Sequence, residues 1–289
     1  MRKFALIALA TTLTFAIEPV VSTHWLAKHL HEKDLVILDV SQPKAYAKGH
    51  IPGAINAPIG QWREHHGSYL LIKPPQKIQE LLRNLGIDEK KEIVIYAHHS
   101  GKDTLKTSYV AWALELHGLA KSALLDGGLR KWKKEGLPLS TKTPTPTPSH
   151  YVVHLNPSLV IDKEGVRKSI GKVRMLDARP AVYYFGAKKQ KVLPRAGHIP
   201  HATSYFWKYS FKDDGTFKPK ETLREMLVEG LGLDPRETLV TYCTGGLETS
   251  MNWFVTHRIL GFEKARLYDA SLKEWANDPK MPMTKYRWE

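Results

Sequence analysis

Cysteine occurs once in the 289 residues, at Cys243. A lone cysteine is ordinarily a small buried hydrophobe, so the case for chemistry rests on its neighbours. Before it, Leu239-Val240-Thr241-Tyr242 reads as a short buried strand of β-branched and aromatic residues. After it, Met251, Phe254, Val255, Ile259 and Phe262 recur at helical spacing, which predicts a helix from near Ser250. The thiol therefore belongs to a strand-to-helix turn. Gly245 and Gly246 free that turn for dihedrals that converge successive N–H groups on one point. The amides of Thr244, Gly245, Gly246, Leu247, Glu248 and Thr249, with the positive helix N-terminus, favour an anion. A thiolate in such a turn is expected to have a lowered pKa and a nucleophilic role.

Glu248 runs against this pattern. A carboxylate about 6 Å from the sulfur, at an effective dielectric near 20, would cost a thiolate roughly 3 kcal/mol. The expectation is that Glu248 points away from the sulfur or pairs with a cation; the alternative is a poor site for an anionic donor.

The elements that must hold this loop occur twice. Ile37-Leu38-Asp39-Val40 is answered by Met175-Leu176-Asp177-Ala178-Arg179, and Gly49-His50-Ile51-Pro52 by Gly197-His198-Ile199-Pro200. Gly86-Ile87-Asp88 is answered by Gly232-Leu233-Asp234, and Glu92 to Tyr96 by Thr238 to Tyr242. Ala123-Leu124-Leu125-Asp126 is answered by Arg266-Leu267-Tyr268-Asp269, and Trp132 by Trp275. In this register Ala97 stands where Cys243 stands, so one copy keeps the scaffold without the thiol. Strands alternate with helices read at His24 to His31, Gln76 to Leu85 and Leu105 to Leu116. That alternation predicts an α/β fold of two tandem domains, each a mainly parallel sheet flanked by helices. Thr143-Pro144-Thr145-Pro146-Thr147-Pro148 reads as a stiff extended connection. The expected division is a leader over 1–16, a thiol-free domain over 17–139, a Thr/Pro linker over 140–149 and a thiol-bearing domain over 150–289.

The leader has Arg2 and Lys3, an apolar run from Phe4 to Phe15 too short for a membrane span, and small residues at both recognition positions of Thr14-Phe15-Ala16. Cleavage after Ala16 would release the protein to a periplasm or the exterior, with no membrane insertion afterwards. One cysteine in an oxidising compartment makes no internal disulfide. The formal charge of +14 is spread along the chain and marks a basic solvated surface. No zinc-finger, helix-turn-helix or RNA-recognition pattern accompanies it, which argues against nucleic acid. The adjacent pairs His65-His66 and His98-His99 do not face one point on regular structure, so no metal site is expected. His50, His198, Asp39 and Asp177 recur in both copies and read as scaffold, and Trp62, Trp112 and Trp253 as core.

Together the Val21 to Leu26 opening, both Gly-His-Ile-Pro turns, both Asp-ended strands and the terminal cysteine loop resemble the tandem-domain rhodanese family, the thiosulfate and 3-mercaptopyruvate sulfurtransferases. The resemblance implies an inactive first domain and a catalytic second one. It also implies a Cys243 persulfide that carries sulfur from a small anionic donor to cyanide, a thiol or a protein acceptor, with no cofactor. Arg179, in Asp-Ala-Arg, matches a family arginine that binds the donor; its competing reading is a structural partner of Asp177. Lys188, Lys189, Lys191 and Arg195 could add charge, or form a solvated loop. Thr249 stands where related phosphatases need a phosphate-binding arginine, which argues against that chemistry. The loop departs from the family. Thiosulfate-type loops carry basic residues after the cysteine and mercaptopyruvate-type loops carry Gly-Ser-Gly-Val-Thr, whereas this one reads Thr-Gly-Gly-Leu-Glu. Tyr268-Asp269-Ala270-Ser271-Leu272 likewise departs from the family's Tyr-Asp-Gly-Ser-Trp. A non-catalytic persulfide carrier or partner-binding module is the alternative function.

Overall fold

A computed structural model describes residues 17–99 and 101–289; the expected leader lies outside them. The apolar runs form the strands β1 (Val20–Val21), β2 (Leu35–Asp39), β3 (Ile55–Asn56), β4 (Arg63–His66), β5 (Tyr69–Ile72), β6 (Glu92–Tyr96) and β7 (Ser122–Leu125). In the second half they form β8 (Arg174–Asp177), β9 (Ala202–Ser204), β10 (Leu239–Tyr242) and β11 (Ala265–Leu267). The first sheet has the order β1-β7-β6-β2-β3 and the second β11-β10-β8-β9, with parallel pairing throughout both. Removing β1 leaves one strand order used twice. Even β1 has an echo, in a parallel bridge from Val160 to Leu267 on the matching edge.

The repeat extends to single hydrogen bonds. His50 Nδ1 bonds the Tyr46 carbonyl at 3.0 Å and its ring stacks on Tyr46 at 3.7 Å. His198 Nδ1 bonds the Tyr184 carbonyl at 2.8 Å and stacks on Tyr184 at 3.8 Å. The Tyr96 and Tyr242 hydroxyls each accept the N–H of the isoleucine in the Gly-His-Ile-Pro turn at 3.1 Å. Both histidines thus clamp the turn after the Asp-ended strand, as scaffold. The indole N–H of Trp132 donates to Pro138, and that of Trp275 to Pro282.

The helix Thr104–Leu116 is buried nearly all round, as a helix between two apolar partners must be. It packs against the helix Leu247–Trp253, where Ser108 and Ser250 share a hydrogen bond at 2.8 Å. Further along this contact Glu115 takes His257 at 2.7 Å and Arg258 at 2.8 Å. One apolar core, from Val36 through Trp112 to Trp253 and Leu267, therefore runs through both halves. The Thr/Pro segment is extended and lies on the first half: Ser149 N–H donates to the Arg83 carbonyl, and a Cβ on Gly86 would meet the Thr147 carbonyl at 2.8 Å.

Two small hairpins exchange places between the halves. The antiparallel β4–β5 pair of the first half sends the Ile72 N–H to Asp269 at 2.8 Å. In the second half Phe211 and Phe217 form an antiparallel bridge, and the Phe217 N–H donates to Asp126 at 2.9 Å. Each half thus caps the strand-to-helix loop of the other.

Because the core is continuous, the halves should unfold together. Trp112→Ala is expected to cost about 3–5 kcal/mol and to lower one shared urea midpoint, read by tryptophan fluorescence and far-UV circular dichroism. Two separated midpoints would mean independent halves.

Candidate functional site around Cys243

β10 ends at Tyr242 in the sheet centre, so Cys243 leaves the carboxyl edge of the second sheet, where open α/β sheets present ligands. The helix that follows is Leu247–Trp253, three residues earlier than the apolar spacing predicts, because Gly246 at φ 92° makes the turn itself. The helix runs on in wider turns through Phe254–Ile259. Thr249 is wholly buried and ties helix to strand through a 2.7 Å bond to the Thr241 hydroxyl.

Cys243 is 1% exposed. The Gly245 N–H reaches its sulfur at 3.4 Å, and the Thr249 amide favours its charged form. The loop is closed from the far side by Ser271. Its hydroxyl accepts the Cys243 N–H at 3.0 Å, donates to the Tyr268 carbonyl at 2.7 Å, and stands 3.9 Å from the sulfur. Ser271 has φ 53°, rare for a side chain other than glycine. Its counterpart in the thiol-free copy is Gly128, at φ 56°, where a Cβ would meet the Ala97 carbonyl at 2.7 Å. The repeat register could have singled out Ser271: like His201 in place of Gly53, it is a side chain inserted where the other copy has a positive-φ glycine, and it is the one that touches the sulfur.

The thiol pKa goes the opposite way from the sequence expectation, up to about 11. Burial is the main cause and the Glu248 charge the second; the Thr249 and Gly245 amides and the Ser271 hydroxyl pull it down without prevailing. Among the described residues Gly245 is the loop amide that hydrogen-bonds the sulfur, and that sulfur has lost its water. Glu248 does not behave as expected either. It is half-buried near the sulfur, lies 3.3 Å from the Thr244 hydroxyl, and has no cation within ion-pair distance among the described residues. Burial and then the Asp177 charge hold its carboxyl above the ordinary range, while Arg179 and Lys102 pull it back. The single Thr244 hydroxyl proton has its shorter contact with Gln190, at 2.8 Å.

Arg179 is buried and grips Asp177 with two nitrogens, Nε at 2.9 Å from Oδ1 and Nη2 at 2.5 Å from Oδ2. Nη2 also donates to the Gly197 carbonyl at 2.7 Å. Nη1 makes no hydrogen bond among the described residues. Burial opposes its charge, but Asp177 overcomes this and keeps the guanidinium ionised. In the thiol-free copy the same aspartate position, Asp39, is held by His98 at 2.7 Å. Arg195 is not a substrate cation: its three nitrogens bond the carbonyls of Trp275, Ala276, Asp278 and Met281. The positive charge near the loop comes from elsewhere. The stem of Lys273 lies where a Cβ on Gly245 would meet it at 3.2 Å, and the charge of exposed Lys102, in the first half, is felt at Glu248. No local motif marks either lysine, because each arrives from a separate element.

A model of the rhodanese-like domain matches this chain twice, at residues 22–135 and 163–278. A Synechococcus elongatus protein named "Putative thiosulfate sulfurtransferase" is 31% identical over 278 residues, 92% of this chain and 85% of that protein. The "Sulfur carrier protein TtuD" of Thermus thermophilus is 31% identical over 283 residues, covering 93% and 97%. Among solved structures, YnjE superposes with TM-score 0.83 at 20% identity, over 93% of this chain and 68% of that one. An EanB complex with ergothioneine gives 0.83 at 20%, over 94% and 71%. At that identity the two structures speak for the fold.

A thiol titrating near 11 should be alkylated by iodoacetamide slowly at pH 7, with a rate that climbs about tenfold per pH unit up to that point. Glu248→Gln removes the second cause of the rise, so alkylation at pH 7 is expected to quicken by roughly three- to tenfold. An unchanged rate would place the Glu248 charge too far from the sulfur to matter.

Proposed function

The chain belongs to the rhodanese family, as two tandem copies of its domain, and on that premise we propose that it is a sulfurtransferase working through a Cys243 persulfide. The observation that carries this reading is the single thiol at the carboxyl end of β10, in a glycine-rich turn whose Gly245 N–H reaches it, in one copy only. The Cys243 thiolate attacks the outer sulfur of a small anionic donor. A new S–S bond forms on cysteine while the donor's own bond to that sulfur breaks, and its remainder leaves with the electron pair (sulfite from thiosulfate, pyruvate enolate from 3-mercaptopyruvate). The persulfide charge then sits one atom further out, towards the amides of Thr244 to Thr249. A thiophilic acceptor, cyanide or a thiol, attacks the outer sulfur, and the cysteine thiolate departs. Arg179 Nη1, Lys273 and Lys102 are the cations available to draw in the donor.

A second reading has its own support. A buried thiol held near 11, with Glu248 beside it, suits a persulfide carrier loaded by another protein better than a fast thiosulfate enzyme. The resemblance to a named sulfur carrier points the same way. For either role we place the protein in a periplasm or outside the cell, on the leader pattern of its first sixteen residues.

The deciding assay is thiocyanate release from thiosulfate plus cyanide, beside the same assay with 3-mercaptopyruvate, for the native protein and Cys243→Ser. Turnover abolished in the variant is expected. Absence of turnover with both donors in folded native protein, with persulfide accepted from a sulfur-loading protein, would favour the carrier.

A further inference from the structure

The capping hairpins are related by the same repeat, and this isolates one side chain. Phe211 and Phe217 pair across their hairpin, and the Lys218 N–H closes it onto Ser210. Arg63 and Ile72 pair across β4–β5, and the Lys73 N–H closes it onto Trp62. Arg63 therefore stands where Phe211 stands. Over the thiol-free loop, Phe211 and Phe217 line a residual cavity of about 10 Å³ beside Ala97 and Gly128, room for one water at most. Over the thiol-bearing loop the same position carries a buried guanidinium.

That guanidinium touches the loop itself. Arg63 Nη2 donates to the Gly245 carbonyl at 2.8 Å and to the Leu70 carbonyl at 2.7 Å. It lies 3.5 Å from Asp269 Oδ1 and its carbon sits 4.6 Å above the Tyr109 ring. Asp269 is fixed in turn by the Tyr109 hydroxyl at 2.8 Å and the Ile72 N–H at 2.8 Å. A Cβ on Gly246 would strike Asp269 at 2.3 Å and Arg63 at 2.8 Å, so the loop and this cluster fit without slack.

We propose that Arg63, from the thiol-free half, is a positioning residue that sets the Gly245–Gly246 peptide for sulfur chemistry at Cys243. The peptide is trans, so a carbonyl held on Arg63 sends the Gly246 N–H to the opposite side, into the loop. A peptide between two glycines has little of its own to prevent a flip. The flipped form would turn a carbonyl dipole on the persulfide in place of an amide. The inactive domain is thereby a working part of the active one. This rests on the sulfur-transfer reading for its consequence, but not for its test.

The test is the pH profile of Cys243 alkylation by iodoacetamide, with thermal melting alongside, for the native protein, Arg63→Met and Arg63→Lys. Arg63→Met is expected to raise the alkylation midpoint by roughly one pH unit. In the cyanide assay it should lower kcat by roughly tenfold or more, with a smaller change in KM for the donor. Arg63→Lys, which can still donate to the Gly245 carbonyl, should recover much of both. If Arg63→Met does not fold, Arg63→Lys alone decides, with a midpoint between the native value and one pH unit higher. A folded Arg63→Met that melts earlier but keeps the native alkylation midpoint, or, where it does not fold, an Arg63→Lys with no midpoint shift at all, would overturn the proposal and leave Arg63 a simple interdomain tie. Alkylation reads the loop directly, so a native protein without sulfurtransferase turnover would sink the functional reading and not this one.

Discussion

A charge on sulfur in a site with almost no water must be met by hydrogen bonds from the protein, and the second half of this chain is shaped by that requirement. The Cys243 thiolate at neutral pH is costly: a pKa raised from 9.0 to about 11 adds roughly 3 kcal/mol to its formation. The groups that oppose this cost are backbone amides and one serine, not cations, because the loop has no lysine or arginine of its own. Amides are weak partners singly and strong when several converge. Convergence needs an unusual backbone, which explains Gly246 at φ 92° and Ser271 at φ 53° on opposite sides of the sulfur.

The duplication supplies an internal control for this account. The two halves share strand order, the His–Tyr clamps and the tryptophan closures, so these belong to folding. They differ where chemistry would need it. Ala97 becomes Cys243, and Gly128 becomes Ser271. The buried aspartate keeps its place but changes partner, from His98 on Asp39 to Arg179 on Asp177. The capping side chain changes from Phe211 to Arg63. All four differences gather at one loop, and each either adds a reactive atom or a hydrogen-bond donor. An apolar seal over the thiol-free loop and a polar grip over the other are what burial energetics would favour, since an empty loop gains from exclusion of water and a working loop needs its peptides held.

Much of this was legible in the sequence because it depends on local pattern. β10 is bounded as Leu239 to Tyr242 by its β-branched run, and the repeat register placed Ala97 against Cys243. What the pattern could not supply were contacts between distant segments. Arg63 is 182 residues from Gly245, and β4 carries too many polar residues to stand out as a strand. The direction of the thiol pKa failed for a related reason. The amides that lower it are visible in the Gly-Gly turn, but the burial that raises it comes from packing by elements far along the chain. Arg179 shows an intermediate case: Asp-Ala-Arg fixes the neighbourhood, while the hydrogen bonds commit Nε and Nη2 to structure and leave Nη1 apart.

Glu248 draws these strands together. A carboxylate beside a sulfur nucleophile makes sense only if the charge it opposes is short-lived or lies elsewhere. In the free thiol it discourages ionisation, and with burial it protects the sulfur from stray alkylation or oxidation. In the proposed persulfide the charge would lie on the outer sulfur, and the inner sulfur would be neutral. Glu248 would then penalise the empty thiolate more than the loaded persulfide. In the sulfur-transfer reading proposed above, the carboxyls Glu248 and Asp177, with Arg179 between them electrostatically, would favour a charged-sulfur cargo over the bare nucleophile. That asymmetry suits a protein that holds sulfur between transfers.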